Sequence, residues 1–533
     1  MATTLLKQDS VLGIDQILVH IGEFGRFQII LEIIACLLQI PYTLMILLPY
    51  FTQDSPSWKC VSNSTVCNVT GELASSDKLR CQIPRSEWEY SMPKDYSIVT
   101  EFDLYCGTET YAYLATSMIF VAWAIGSVIL GWLADRFGRW KVLIPAHVCL
   151  VTVGLLNAFS PNFTVYIITR FLVGFSIPGI MVPTFVLVSE FVGPKHRPLA
   201  GILLWGFFAL GLIILGLQAY FIRKWKLLTI ICTAPYIITF PLLKFIPESI
   251  RWLRISGQSE KAMEILEKIA RVNKKEFPNA VLEPLAPTIK EKRGSLLDIF
   301  RPCKMAIKTF IQGYAWMVEG MVYYSVALAA DDIGGSNRYA NYILTSLVDL
   351  PAVLTGIYAC RRFGRKKTVI IPLFIGSIAC IAAAFIPAKA VGSILKFWPK
   401  IRVALGVLGK FFVATSFDSI YTWSVELYPT VVRGEGMGYL QVMSRIGAAL
   451  APWVTKWLIG YAVIYGSHGF LPFLVLGSSS LVASISLLWL PETRDSATAE
   501  TFEHFEKKNA ELVDGKLLAD MGEDDKFANG EKC

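Results

Sequence analysis

Charge is scarce in this chain: Asp, Glu, Lys and Arg make up only 17% of it, against 54% hydrophobic residues. Globular domains usually carry about 25% charged residues, so too few polar groups are present to cover a water-exposed surface. Disordered, collagenous, coiled-coil and small disulfide-framework classes are excluded by the same balance. Clustered basic residues with interleaved aromatics are missing, so the net charge of +8 gives no sign of a nucleic-acid partner. A glycine-rich phosphate loop followed by Lys-Ser/Thr is also missing, which argues against bound ATP as an energy source and against an enzyme of that kind. The N-terminus has no basic segment leading to a small-residue cleavage site, so the first apolar run is expected to be retained.

What the chain has instead is apolar runs of about 20 residues, long enough to cross ~30 Å of hydrocarbon. Twelve are expected, at Phe27 to Phe51, Tyr111 to Leu133, Val142 to Phe159, Val165 to Phe191, Ala200 to Phe221, Leu227 to Ile246, Ala306 to Ala330, Tyr339 to Ala359, Thr368 to Pro387, Ile401 to Val425, Gly436 to Tyr461 and Gly469 to Leu490. They divide the chain into a cytosolic N-terminus (1–26), a six-helix bundle (27–246) with an extracellular loop (52–110), a cytosolic helical linker (247–305), a second bundle (306–490) and a cytosolic tail (491–533).

Orientation follows from the loops. Arg136, Arg139, Lys141, Lys195, Arg197, Arg361, Arg362, Arg365, Lys366, Lys367 and Arg433 fall in the connections after even-numbered spans, which places those connections in the cytosol. Outward loops still carry Arg223, Lys224, Lys226, Lys389, Lys396 and Lys400. A separate signal agrees with the basic bias: the first long loop holds Cys60, Cys67, Cys81 and Cys106 beside the glycosylation sequons at Asn63 and Asn68. Four such cysteines imply two disulfides in an oxidising compartment, with three pairings open.

The chain repeats itself six spans on. Arg136-Phe137-Gly138-Arg139 with Lys141 recurs as Arg362-Phe363-Gly364-Arg365 with Lys367; Arg170 and Gly174 recur as Arg402 and Gly406; Glu190 and Arg197 recur as Glu426 and Arg433; Pro247-Glu248-Ser249 recurs as Pro491-Glu492-Thr493. A shift of six spans keeps each copy on one side of the membrane, so the halves are parallel repeats that can rock around a midplane cavity. Asp135, Glu190 and Glu426 with Arg136, Arg139, Arg197, Arg362, Arg365 and Arg433 form a candidate cytosolic gate, whose pairs would latch an outward-open state. The plain alternative is that these basic residues only enforce topology.

These motifs carry a resemblance. Gly131 to Lys141, with Asp135-Arg136-Phe137-Gly138-Arg139 at its centre, is similar to the loop 2-3 signature of the major facilitator superfamily. The exits Pro247-Glu248-Ser249-Ile250-Arg251-Trp252-Leu253 and Pro491-Glu492-Thr493 resemble its sugar-porter and organic-ion branches. The long first loop, ending Ser97 to Cys106, resembles solute carrier family 22, the organic cation, carnitine and anion transporters, as do His20 to Gln28 and Val425 to Arg433. The resemblance implies an all-α membrane protein with the major facilitator fold, twelve transmembrane helices arranged as two parallel six-helix repeats.

An ionisable residue within a span is expensive, and function is the first explanation to test. Glu319, Asp349, Asp418 and Arg445 stand in spans 7, 8, 10 and 11, and Tyr323 and Tyr324 follow Glu319. At 1.5 Å per residue Asp418 lies ~7.5 Å and Arg445 ~4.5 Å inward of the membrane centre, so either the two pair with each other or both face a ligand. Glu32 and Lys410 are two further intramembrane charges, and Lys410 is placed to snorkel outward. The resemblance implies an acid-and-tyrosine pair of the cation branch at Glu319 and Tyr323, an acidic position of cation and carnitine members at Asp349, and a basic span-10 position at Lys410. Arg445 resembles the anion and carnitine branches, and Asp418 departs from the family pattern. Several acids with one buried Arg suggest a small ligand bearing both charges, such as a carnitine-like zwitterion. An organic cation, an organic anion, or a receptor or scaffold without transport are the alternatives. A coupling ion is compatible with this reading, no cofactor or metal is implied, and a monomer in the cell membrane is expected.

Overall fold

The computed structural model of the chain describes residues 10–61, 67, 80–193, 196–278, 280–282, 296–301, 303–328, 337–386, 398–429, 432–457 and 470–494. Asn63, Asn68 and the tail from 495 onward lie outside the described residues.

In hydrocarbon a backbone must satisfy its own hydrogen bonds, so each apolar run folds as a helix. The first set is α1 (Ile14–Ile21), α2 (Arg26–Leu47), α3 (Thr110–Phe137), α4 (Arg139–Ala158), α5 (Phe163–Phe191), α6 (Arg197–Phe221) and α7 (Trp225–Thr239). The connecting linker contains α8 (Ile250–Ile255) and α9 (Ser259–Asn273). The second set is α10 (Cys303–Leu328), α11 (Arg338–Leu347), α12 (Asp349–Phe363), α13 (Arg365–Ala384), α14 (Trp398–Leu427), α15 (Arg433–Pro452) and α16 (Phe470–Ser486). With the eight-residue α1 set aside and α11 and α12 counted as one span, twelve membrane-length elements among the described residues fall into two sets of six. Among the described residues, nine helices are long and apolar enough to cross a membrane by composition alone. The other three, α10, α14 and α15, carry Glu319, Lys410, Asp418 and Arg445, of which Glu319, Lys410 and Arg445 are buried. Large apolar side chains such as Ile30, Val128, Leu354 and Tyr358 point outward and are more than half exposed, as a lipid-facing surface requires.

The eighth span runs from Arg338 to Phe363 and includes the run expected from Tyr339 to Ala359. Pro351 has no N–H to offer the carbonyl of Leu347, and its ring crowds that carbonyl, so the hydrogen-bond ladder is interrupted at Val348, whose φ and ψ of −67° and −24° stay helical. The eleventh span stops being α-helical after Pro452 and continues as one π turn, Trp453–Trp457.

Two small sheets complete the structure. Strand β1 (Ser10–Leu12) pairs in parallel with β4 (Ala280–Leu282), and β2 (Trp58–Cys60) pairs antiparallel with β3 (Trp88–Tyr90). The second sheet belongs to the long loop after α2, where the open choice of disulfides resolves as Cys60–Cys67 and Cys81–Cys106. The side carrying this loop is called the loop face below; the linker marks the opposite, linker face.

On the linker face the sequence repeat becomes a structural one. Gly138 and Gly364 hold φ of 111° and 94°, which turns α3 into α4 and α12 into α13. At each turn a carboxylate caps the next helix: Glu248 accepts from Arg139 N (2.9 Å) and Trp140 N (3.2 Å), Glu492 from Arg365 N (2.9 Å) and Lys366 N (3.1 Å). A side chain on either glycine would strike that carboxylate.

Candidate functional site

Between the two sets of helices lies a cavity walled mainly by aromatic rings. Tyr42 of α2, Trp123 of α3, Trp205 and Phe208 of α6, Tyr323 and Tyr324 of α10 and Phe417 of α14 face it, and Asp349, Asp418 and Arg445 supply its charge. Five of the six residues singled out for ligand binding from the sequence thus share one cavity wall. Glu319 does not. It is fully buried behind the wall, with one carboxylate oxygen 2.5 Å from the Ser416 hydroxyl and the other without a partner among the described residues. The helical pitch explains this: Tyr323 lies one turn further on, at a slightly different angle around the helix axis.

The three cavity charges are held differently. Asp349 opens α12 and is neutralised: Lys410 donates to its Oδ2 at 3.1 Å and the Tyr323 hydroxyl donates to the same oxygen at 3.0 Å. Lys410 therefore does not snorkel outward. It is 1% exposed, and its ammonium also donates to the Thr345 carbonyl at 2.6 Å, because a buried carboxylate and a backbone carbonyl lie closer than water.

Arg445 is 2% exposed and lies over the Trp123 ring, 3.8 Å from the centroid, with Nη1 donating to Tyr324 Oη at 3.1 Å. Among the described residues no carboxylate pairs with it. Asp418 is partly open to the cavity and forms no ion pair or hydrogen bond among the described residues. The direct Asp418–Arg445 pair weighed from their shared depth is not formed. Each side chain has its own direction around its helix, which depth alone does not give.

Trp123, Tyr42, Trp205 and Phe208 were not singled out from the sequence. Aromatics make up 13% of the chain, so a single ring in an apolar run carries no distinguishing signal.

The cavity is shut towards the loop face by contacts between the two sets. Arg338 of α11 forms an ion pair with Asp54 and donates to the Tyr50 carbonyl at 3.0 Å. Tyr50 stacks on Tyr342 with centroids 4.8 Å apart, Phe51 on Tyr339 at 5.5 Å, and Arg223 lies over Tyr339 at 4.3 Å. Ser117 of α3 donates to the Ala449 carbonyl of α15 at 2.6 Å. The long loop joins this closure, since Tyr96 donates to Asp54 at 2.7 Å. Burial, and the Asp54 carboxylate it bonds, push the Tyr96 phenol above its ordinary range, so it remains a donor.

On the linker face the candidate gate residues pair within each set. Arg139 pairs with Asp135 at 3.0 Å and approaches Glu190 at 4.0 Å, all within the first set; Arg365 pairs with Glu426 at 3.0 Å within the second. Ser249 and Thr493 hydroxyls bond Glu190 and Glu426 in turn. Arg136 lies over Trp132 at 5.2 Å, the Arg362 carbonyl accepts from Arg494 at 2.9 Å, and Arg433 opens α15. The side chain of Arg197 lies outside the described residues. These pairs stiffen each set, and among them none bridges the two.

Residues 63–506 match the family described as "Sugar (and other) transporter". The human "Solute carrier family 22 member 13" is 30% identical over 92% of this chain and 93% of its own length. The "Organic cation transporter protein" of Drosophila melanogaster is 29% identical over 94% and 96%, and the human "Organic anion transporter 3" is 33% identical over 79% and 76%. Among solved structures, a partially occluded inward-open form of the xylose transporter XylE from E. coli superposes with a TM-score of 0.61 at 16% identity, covering 87% of this chain and 100% of that one. That similarity shows the major facilitator fold.

Proposed function

Since the chain belongs to the sugar-transporter family of the major facilitator superfamily, in its solute carrier family 22 branch of organic cation and anion transporters, we propose that its substrate is a small carnitine-like zwitterion. It is a multi-pass secondary transporter, and its family is one of transporters rather than enzymes. The observation that carries the substrate reading is the charge balance of the cavity. Asp349 already has Lys410, which leaves one carboxylate, Asp418, and one guanidinium, Arg445, without an ionic partner in the same wall. A ligand with a carboxylate at one end and an onium group at the other satisfies both. Arg445 offers a planar, permanently charged donor set suited to the carboxylate. Asp418 and the rings of Tyr323 and Phe417 attract the onium end, as aromatic faces attract cations that have been stripped of water.

The loop face is extracellular on this reading and the protein resides in the cell membrane. Rocking of the two sets breaks the Arg338–Asp54 closure to admit substrate and remakes it for release at the linker face. Uptake of L-carnitine, tetraethylammonium and p-aminohippurate, compared on matched surface expression, tests the assignment. Saturable uptake confined to L-carnitine is the expected result. An organic-anion transporter, which the unpaired Arg445 also favours, would take up p-aminohippurate instead.

A further inference from the structure

The break in the eighth span separates two jobs. Its outer segment α11 carries Arg338, Tyr339 and Tyr342, which close the cavity against Asp54, Phe51 and Tyr50; its inner segment α12 begins with Asp349 in the cavity wall. Pro351 has no N–H for the Leu347 carbonyl, so the joint between the two segments is weaker than an unbroken helical turn and is open to being held by a neighbouring side chain.

Lys410 is placed to do so. Its ammonium, on the neighbouring α14, donates to the Thr345 carbonyl in the last turn of α11 at 2.6 Å and to Asp349 Oδ2 in the first turn of α12 at 3.1 Å. One side chain thus fastens both sides of the break. Tyr323 of α10 completes the set through Asp349 at 3.0 Å, and its ring lies 5.6 Å from the ammonium. A lysine needed only to neutralise Asp349 would have no use for Thr345.

We propose that Lys410 is the pin that holds α11 at its closed angle, a positioning residue through which the charged cavity wall governs the loop-face gate. The proposal rests on the transporter reading and goes beyond it, because it ties one cavity charge to the gate rather than to the substrate. Because Asp349 lines the cavity, a change there that lengthens its contact with Lys410 loosens the pin from the α12 side and leaves Lys410 on Thr345 alone, which links the cavity wall to gate release.

The gate can be read without substrate. A side chain at Gly216 of α6 would meet Ile343 of α11 at 2.6 Å, so Gly216→Cys with Ile343→Cys reports the closed gate as a disulfide. Its rate of formation is measured in membranes holding the full chain under mild oxidation. Added to that pair, Lys410→Met is expected to slow cross-linking at least threefold, and Lys268→Met, exposed on the linker, to leave it unchanged. Lys410→Met strands Asp349 and can impair folding, so the deciding variant is Lys410→Met with Asp349→Asn, which removes both charges together. Its rate is also expected to fall at least threefold; a rate within threefold of the parent, on matched expression, overturns the pin. No substrate enters this assay, so its failure is separate from a failure of the zwitterion assignment.

Discussion

Arg445 lies face-on to Trp123, with its guanidinium carbon 3.8 Å from the ring centroid, although the two residues come from opposite halves of the molecule. The ring covers one face of the guanidinium, while its nitrogens have only neutral acceptors among the described residues, Tyr324 on Nη1 and a long contact to Gln441 on Nη2.

Removing the stacking partner should therefore weaken carboxylate binding without removing the charge. A cation–π contact in a desolvated site is worth roughly 1–2 kcal/mol, so Trp123→Leu is expected to raise the half-saturation concentration for L-carnitine about 5- to 30-fold. Concentration-dependent uptake at matched expression checks this. An unchanged value would mean that Arg445 is oriented by Tyr324 alone.

Asp418 and Asp349 should respond oppositely to the same chemical change. Asp418 has no ionic partner among the described residues, so Asp418→Asn strands nothing there: surface expression should stay near the parent level while L-carnitine uptake falls at least tenfold. Asp349→Asn leaves the Lys410 ammonium buried beside a neutral group, at a cost of about 3–5 kcal/mol, and should lower the amount of folded protein. Adding Lys410→Met should restore that amount. Detergent-extracted protein followed by thermal unfolding, with surface biotinylation, distinguishes the two patterns.

Much of this arrangement was legible in the sequence. Charges within apolar runs mark themselves by their cost, which is how Asp349, Asp418 and Arg445 were found, and the repeated Arg-Phe-Gly-Arg motifs gave the two sets of six helices. What could not be read was direction. Glu319 and Tyr323 are one turn apart, yet one is buried behind the wall and the other in it; Asp418 and Arg445 share a depth but do not meet. Lys410 stands out as a charge, but its inward direction is not legible for a related reason. Its partner carbonyl at Thr345 lies beside a break caused by Pro351, and a lone proline does not announce which side chain will occupy the gap.

The closure at the loop face should be obligatory for transport. Asp54 receives both Arg338 from the second half and Tyr96 from the long loop. Replacing Asp54→Cys together with Arg338→Cys should permit a disulfide across the closure. Oxidised protein is expected to lose more than nine-tenths of uptake and to regain it on reduction, whereas either single cysteine should be insensitive to the oxidant. Full uptake by the cross-linked protein would show that the two halves need not separate there.

Arg445 gives the sharpest test of the substrate's charge. A guanidinium stays protonated in the membrane interior, so it requires an anion or an extensive set of neutral acceptors. Among the described residues it has Tyr324, a long contact to Gln441 at 3.5 Å and the face of Trp123, and no carboxylate. If the ligand brings the carboxylate, Arg445→Ala should reduce L-carnitine uptake by about two orders of magnitude, the scale of a lost charged hydrogen-bond pair of ~3 kcal/mol. Uptake of tetraethylammonium should appear or rise in the same variant, because the repulsive charge has gone and Asp418 remains. Since Asp418 is not the partner of Arg445, the substitution strands no buried carboxylate, and surface expression should hold. Equal loss of expression and of every substrate, with both restored by adding Asp418→Asn, would instead mean that the two residues pair in another state of the transport cycle, and the zwitterion reading would lose its main support.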